Sequence, residues 1–234
     1  GAPLAAHPQV DKVAFTGSTE VGKLIVKAAA NDLKKVTLEL GGKSPNIVLD
    51  DADLDLAIPG ASNAIFFNQG QCCCAGSRLF VQEKRYERVL QGVSDAAAKI
   101  RLGPGLDPST QMGPLVSKVQ FERVTGFLKS GREEGARTVV GGNRHGNSGY
   151  FVQPTVLDGT RENMRVYQEE IFGPVVTVTP FKDVDADLIR RANDTVYGLA
   201  AGIWSGDMRR AHRIANKLRA GTVWINCYNI FDAS

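Results

Sequence analysis

Val10-Asp11-Lys12-Val13-Ala14-Phe15-Thr16-Gly17-Ser18-Thr19-Glu20-Val21-Gly22 starts as a β-branched run, turns at Gly17-Ser18 and enters a helical pattern that continues to Asn31. A second run of alternating character occupies residues 35–40. Strand, helix and strand in close succession are the signature of α/β architecture. The alternation continues outward from this stretch. Residues 47–49 read as a short strand, and 53–68 as a helix that Pro59-Gly60 should kink or effectively start. A buried strand is expected over 77–82 and an amphipathic helix over 83–100, ended by the turn-rich 103–108. A long helix over 117–134 precedes strands at 138–141, 151–156 and 175–181. Helices over 183–194 and 207–218 flank a strand at 200–204, and 221–226 reads as the last strand. No internal repeat, low-complexity tract or linker interrupts the pattern.

Composition excludes several classes. The 234 residues are 43% hydrophobic and 23% charged, close to soluble globular averages, which removes disordered and fibrous architectures. The longest apolar runs fall far short of the ~18 residues a spanning helix needs, so no membrane association is expected. Lys and Arg total 28 against 25 Asp and Glu, a net charge of +3 spread along the chain, which gives nucleic-acid binding little support. Of four cysteines, three are consecutive, Cys72-Cys73-Cys74, and Cys227 lies far away. That arrangement argues against a disulfide scaffold and for a reducing compartment. The start, Gly1-Ala2-Pro3-Leu4, has neither an initiator Met nor a recognisable leader, so a segment has been removed or the chain is a piece of a longer one.

Three constellations carry possible chemistry. At the first strand-to-helix junction, Gly17-Ser18-Thr19 offers the N–H groups of a helix start, either as a phosphate seat or simply as a capped helix. In Leu38-Glu39-Leu40-Gly41-Gly42-Lys43-Ser44-Pro45, a carboxylate between two leucines is a usable base if buried, or an ordinary solvent-facing residue of a half-exposed strand. Gly41-Gly42 permits a tight turn or close approach to the backbone. In Asn68-Gln69-Gly70-Gln71-Cys72-Cys73-Cys74-Ala75-Gly76-Ser77-Arg78, an extended backbone would turn Cys72 and Cys74 one way and Cys73 the other. Gly70 and Gly76 would then leave room for a substrate, and unpaired N–H groups could hold an oxyanion. Buried structural thiols are the competing interpretation. A metal site is not expected, because no second pair of ligands accompanies the triplet.

These segments resemble the aldehyde dehydrogenase superfamily. The resemblance rests on Gly17-Ser18-Thr19-x-x-Gly22, the stretches around Glu39 and Cys73, Glu169-Glu170-Ile171-Phe172-Gly173-Pro174, Asn193-x-x-x-Tyr197-Gly198-Leu199 and Gly221-x-x-x-Ile225-Asn226, all in family order. It implies an α/β fold: a catalytic domain with a parallel-type twisted sheet and flanking helices over residues 41–234, preceded by the C-terminal remnant of a dinucleotide-binding domain over 1–40. It further implies oxidation of a small-molecule aldehyde to a carboxylic acid, with hydride passing to NAD or alternatively NADP. Cys73 is then the nucleophile, forming a thiohemiacetal and a thioester, and Glu39 the base that activates the hydrolytic water. Gly17 and Ser18 are implied at the pyrophosphate, the Leu40 backbone at the carboxamide, and Glu170 and Phe172 at the nicotinamide ribose and ring. Gln120 and Arg123 are implied beside the adenosine ribose. Cys72, Cys74, Tyr228 and Phe231 would line part of the substrate tunnel.

Members of that family are about twice as long. The resemblance therefore implies an upstream segment carrying an oxyanion Asn, and a full-length homodimer or homotetramer in the cytoplasm or the mitochondrial matrix. A polypeptide limited to these residues is expected to hydrolyse activated esters slowly rather than to reduce NAD. The alternative is a catalytically silent relative that keeps the fold for binding or assembly.

Overall fold

The structure is a computed structural model and describes residues 1–231; the expected end of the second domain, at residue 234, lies outside them. The chain divides into two compact units, Gly1–Gly41 and a second that starts at Gly42.

In the first unit, α1 (Ala2–Ala6) precedes β1 (Lys12–Thr16), α2 (Thr19–Ala29) and β2 (Lys35–Glu39). The two strands pair in parallel, Lys12 opposite Lys35 and Thr16 opposite Glu39, with α2 as the crossover. Ser18 caps α2, its side chain accepting from the Val21 N–H. The short α1 carries no clear helical period and was not foreseen.

The second unit contains β3 (Pro45–Val48), α3 (Leu54–Phe66), β4 (Arg78–Gln82), α4 (Tyr86–Lys99), α5 (Lys118–Glu133), β5 (Arg137–Val140), β6 (Thr155–Asp158), α6 (Arg165–Gln168), β7 (Val175–Phe181), α7 (Ile189–Asn193), β8 (Ala200–Trp204), α8 (Met208–Ala215) and β9 (Thr222–Ile225). Its seven strands form one sheet in the order β5-β6-β7-β4-β3-β8-β9. Every neighbouring pair is parallel except β5 with β6, so the parallel-type sheet carries one antiparallel edge strand.

Successive side chains on these strands enter different cores, as the period of two requires. Ile47, Phe80, Leu157 and Ile203 join one cluster together with Val124 of α5, Tyr167 of α6, Leu188 just before α7 and Ile214 of α8. Val48, Leu79, Val81 and Trp204 join the other, with Ala57, Ala61, Val89 and Val93 from α3 and α4. Both faces of the sheet are thus covered by helices, which is why β3, β4, β6 and β8 are apolar without clean alternation.

Several expectations need correction. Pro59 does not start α3 but lies inside it. Its missing donor affects only the carbonyl of the exposed Asp55, which water can reach, and Gly60 lets the helix approach the Trp204 ring. The strand expected over 151–156 begins only at Thr155, after Pro154, which has no N–H for a ladder. The helix expected over 183–194 is a π-helical turn, Val184–Leu188, continuing into α7.

Arg78, at the start of β4, is the largest of the fully buried side chains, 1% exposed. Its Nε donates to the Lys43 carbonyl at 2.9 Å, and its Nη atoms donate to the carbonyls of Arg191 at 3.0 Å and Ala192 at 2.8 Å. The guanidinium packs 5.6 Å from the Phe80 ring centroid and 5.5 Å from that of Tyr167. Replacing Arg78 with Met leaves three buried carbonyls without their donor. Each such loss costs about 1–3 kcal/mol, so Arg78→Met is expected to lower stability by at least about 3 kcal/mol. Urea unfolding measures this, and a change under about 1 kcal/mol would contradict the role assigned to the side chain.

Candidate active site

The cysteine triplet lies between the end of α3 and the start of β4. Helix α3 passes into a 3-10 turn, Phe67–Gly70, in which Asn68 (φ 49°), Gln69 (φ 58°) and Gly70 (φ 66°) are all left-handed. Asn and Gly tolerate this region, whereas Gln69 is held there against its steric preference. The Asn68 carbonyl accepts from the Gln71 N–H at 2.9 Å, and its side chain returns a bond of 2.9 Å to the Gln71 carbonyl.

The chain then makes a tight turn rather than an extended run, closed by the Ala75 N–H on the Cys72 carbonyl at 3.1 Å. Cys72 and Cys74 still come together, with Sγ atoms 3.4 Å apart, and Cys74 Sγ lies 3.1 Å from Asn229 Oδ1. Cys74 is buried, and Cys73 is half-buried. Among the described residues, the N–H groups of Cys73 and of Cys74 donate to no backbone carbonyl.

The three thiols differ electrically. The hydrogen bond from Cys74, acting against partial burial, holds Cys72 down to about 6. The same bond and then burial push Cys74 up. Cys73 is pushed up, first by burial and next by the Cys72 charge, while the N–H groups of Cys74 and of Cys73 itself pull the other way. Cys73 is thus a thiol that needs a base to become an effective nucleophile.

Two further segments meet this turn. Gly42 sits so close to the Cys73 carbonyl that a Cβ would collide with it. Its N–H donates to Glu170 Oε1 at 3.1 Å. Gly70 is similarly close to the Gly173 carbonyl. Gly70 and Gly76 therefore admit protein, the latter facing Ala64 and Asn46, and not the substrate expected beside them. Phe172 is left-handed, φ 57°, and its segment is tied from α5. Gln120 Nε2 donates to the carbonyls of Ile171 at 3.1 Å and Phe172 at 2.7 Å, and Arg123 to that of Glu170 at 2.6 Å. A shallow cleft is lined by Gly42, Cys72, Glu170 and Phe172. The donors of Gln120 and Arg123 thus point at this segment's backbone.

In the first unit, the Gly17 N–H donates to the Glu39 carbonyl at 3.0 Å, and the Leu40 side chain fills the space beside Gly22. Glu39 lies on the exposed face of β2 together with Lys35 and Thr37, not buried between Leu38 and Leu40. No group of three His, Cys, Asp or Glu among the described residues is arranged to hold a metal. Nor is any described helix long and apolar enough to cross a membrane.

Sequence reasoning did not single out Arg78 or Lys43, and it did not foresee the contact between Tyr228 and Cys74. Arg78 was seen only as part of a motif, and its burial has no local signal. Tyr228 and Cys74, expected at the tunnel wall, are buried at 6% and 7% and bound to each other, the Tyr228 hydroxyl donating to the Cys74 carbonyl at 2.7 Å. Lys43 is 1% exposed, and its Nζ has no hydrogen-bond partner among the described residues. No local sequence signal marks that burial.

The aldehyde dehydrogenase family model matches residues 1–234. The putative aldehyde dehydrogenase DhaS of Bacillus subtilis (strain 168) is 54% identical over 234 residues, 100% of this chain and 47% of that protein. The mitochondrial aldehyde dehydrogenase of Mesocricetus auratus is 52% identical over 235 residues, again 100% of this chain and 47% of the relative. The structure of the NAD+ complex of an aldehyde dehydrogenase from Bacillus cereus matches with a TM-score of 0.97 at 52% identity, covering 100% of this chain and 47% of that one. The chain belongs to the aldehyde dehydrogenase family, and it spans about half the length of the relatives it matches.

Lys43 provides a test of the site's electrostatics. Burial, first, and the nearby Arg78 charge push its ammonium down from 10.5 to about 7, with Glu170 and Glu169 opposing and Arg123 adding to the fall. Between those two values the unfolded chain holds a proton that the folded chain has lost, so stability rises with pH there; below about 7 the full penalty of a buried charge remains. Lys43→Met should flatten that rise, by roughly 3–5 kcal/mol across the whole window. Denaturant unfolding of both proteins from pH 6 to 10 reads the difference, and parallel stability curves would contradict it.

Proposed function

From the premise of family membership, we propose that this chain forms the thiol-bearing part of an enzyme that oxidises a small-molecule aldehyde to a carboxylic acid with NAD, or alternatively NADP. The observation that carries this reading is the Cys73 turn: a half-buried thiol on which its own N–H and that of Cys74 bear, neither N–H being tied to a backbone carbonyl among the described residues, near a tightly held segment bearing Glu170 and Phe172.

Attack of Cys73 Sγ on the aldehyde carbon gives a thiohemiacetal, and the Cys73 N–H is available to the oxygen as it gains charge. When bound, the dinucleotide supplies an acceptor for hydride, which leaves a thioester on Cys73. Glu39 takes the proton of the water that attacks this thioester, releasing the acid and restoring the thiol. Because Cys73 is pushed up by burial, Glu39 is also the candidate base for its activation.

The chain's own groups suit a dinucleotide in kind. The start of α2, with Gly17 before it and Ser18 capping it, is a seat for the pyrophosphate. The Leu40 backbone is assigned to the carboxamide. Glu170 is assigned to the nicotinamide ribose, its carboxylate oriented by the Gly42 N–H, and Phe172 to the ring. Gln120 and Arg123, expected near the adenosine ribose, hold the 170–172 carbonyls, and we assign them the support of that segment. Residues 1–40 are the cofactor-binding part and 41–234 the catalytic part in this reading. The same reading carries a homodimeric or homotetrameric full-length protein of the cytoplasm or the mitochondrial matrix; relatives named as mitochondrial support the latter.

Two measurements on the natural protein that carries this sequence test the assignment. Acyl-enzyme trapped with p-nitrophenyl acetate should bear its acyl group on Cys73, should vanish in Cys73→Ala, and should persist in Cys72→Ala; an acyl group on Cys72 would overturn the choice of nucleophile. Glu39→Gln keeps size and hydrogen bonding but removes the base. Thioester hydrolysis should slow by on the order of 10²–10⁴-fold with NAD affinity little changed. Comparable losses in both would make Glu39 structural instead.

A further inference from the structure

The segment after β9 turns back on the cysteine turn through two left-handed asparagines, Asn226 (φ 55°) and Asn229 (φ 58°). Asn226 fixes its departure by holding Ser205 at both ends, accepting from the N–H at 3.0 Å and donating to the carbonyl at 2.9 Å. Tyr228 is then buried with its ring centroid 4.7 Å from that of Trp224, and Trp224 Nε1 donates to the Ile230 carbonyl at 2.8 Å. The segment is thus anchored on either side of Tyr228.

From this anchored position the segment grips Cys74 twice. The Tyr228 hydroxyl donates to the Cys74 carbonyl at 2.7 Å, and Asn229 Oδ1 lies 3.1 Å from Cys74 Sγ. The peptide joining Cys74 to Ala75 is bound at both ends, because the Ala75 N–H closes the turn on Cys72. The preceding peptide is confined from another direction, with the Cys73 carbonyl against Gly42. The Cys72 carbonyl that accepts from Ala75 belongs to the peptide carrying the Cys73 N–H, so three successive peptide planes are held. A turn of this kind would otherwise rotate its peptides at small cost and swing the N–H groups away.

We propose that Tyr228 and Asn229 are positioning residues for the Cys73 thiol, clamping Cys74 so that the N–H groups of Cys73 and Cys74 stay converged on the sulfur and on the oxygen that develops beside it. This rests on the reading of Cys73 as nucleophile. Both N–H groups already favour the Cys73 thiolate in the resting site, which accords with the geometry. Tyr228 itself is buried with its phenol pushed up, first by that burial, so it acts as a fixed donor and not as an acid or base.

The experiment is the pH dependence of Cys73 acylation by p-nitrophenyl acetate, followed as the p-nitrophenol burst in the natural protein, with NAD affinity titrated separately. Tyr228→Phe removes the donor and keeps the ring; Asn229→Ala removes the acceptor. Tyr228→Phe should lower the burst rate constant at pH 7.5 roughly 10-fold, less than the 10²–10³ of a donor in direct contact. It should also move the pH midpoint of the burst upward while NAD affinity changes less than about twofold. Asn229→Ala should act in the same direction and more weakly, and it decides by the same criteria if Tyr228→Phe does not fold. Superimposable pH profiles on a parent acylated at Cys73 would overturn the clamp alone. Equal losses of acylation and NAD affinity would make the segment merely structural and also overturn it. An acyl group on Cys72 in the parent would overturn the reading of the nucleophile, and the clamp with it.

Discussion

A buried guanidinium with no carboxylate in contact among the described residues organises the second unit. Arg78 directs its donors at three backbone carbonyls, one from residue 43 and two from Arg191 and Ala192 at the end of α7. Carbonyls in the last turn of a helix have no partner within the helix and carry partial negative charge. They therefore supply what a carboxylate would otherwise supply, and the flanking rings of Phe80 and Tyr167 complete the cage. Burial still pulls the Arg78 guanidinium down from its ordinary value, the largest influence on it. Arg78 also stands directly after the cysteine turn. The anchor that joins β4, the 42–44 loop and α7 thus fixes one end of the candidate site.

Strand order explains the rest of that placement. β3, β4 and β7 lie side by side and run parallel, with Pro45 opposite Arg78 and Arg78 opposite Thr177. The 42–44 loop, the cysteine turn and the 170–174 segment each immediately precede one of these strands, so all three collect at the amino-terminal edge of the sheet. Open α/β sheets more often bind ligands at the carboxyl ends. Here the close approach at Gly42 and Gly70 brings the loops into contact. The left-handed Gln69 marks where the backbone is strained to turn out of α3 toward the thiols.

Charge is distributed unevenly over this edge. The hydrogen bond between Cys72 and Cys74 pulls Cys72 down and pushes Cys74 up, while burial pushes Cys73 up. An acidic thiolate is also a weaker nucleophile than its population suggests, because nucleophilicity falls with pKa. The buried Lys43, near Glu170, Glu169, Arg78 and Arg123, places a titratable group beside the carboxylate assigned to the ribose. The site therefore couples a neutral nucleophile to a charged frame, and the frame is what the surrounding elements hold rigid.

Periodicity made most of the fold legible. Strands and helices could be read because apolar residues repeat at two or 3.6 residues, and the order of motifs identified the family and the Cys73 and Glu39 candidates. Local chemistry misled where a neighbour elsewhere in the chain decided the outcome. Pro59 lies inside α3, where the carbonyl it leaves without a donor is that of the exposed Asp55; Gly70 and Gly76 meet protein where a ligand was expected; the triplet turns tightly because Ala75 closes it. Tyr228 looked like a tunnel residue, since nothing in residues 227–231 reveals that the segment folds back onto Cys74. The sequence by itself determined the secondary structure, the α/β class and the chemical types at the site, because these follow from short-range spacing and composition. The two α7 carbonyls that Arg78 satisfies and the grip of the chain's last segment on Cys74 were settled by the tertiary structure alone, because those pairings join residues more than a hundred positions apart.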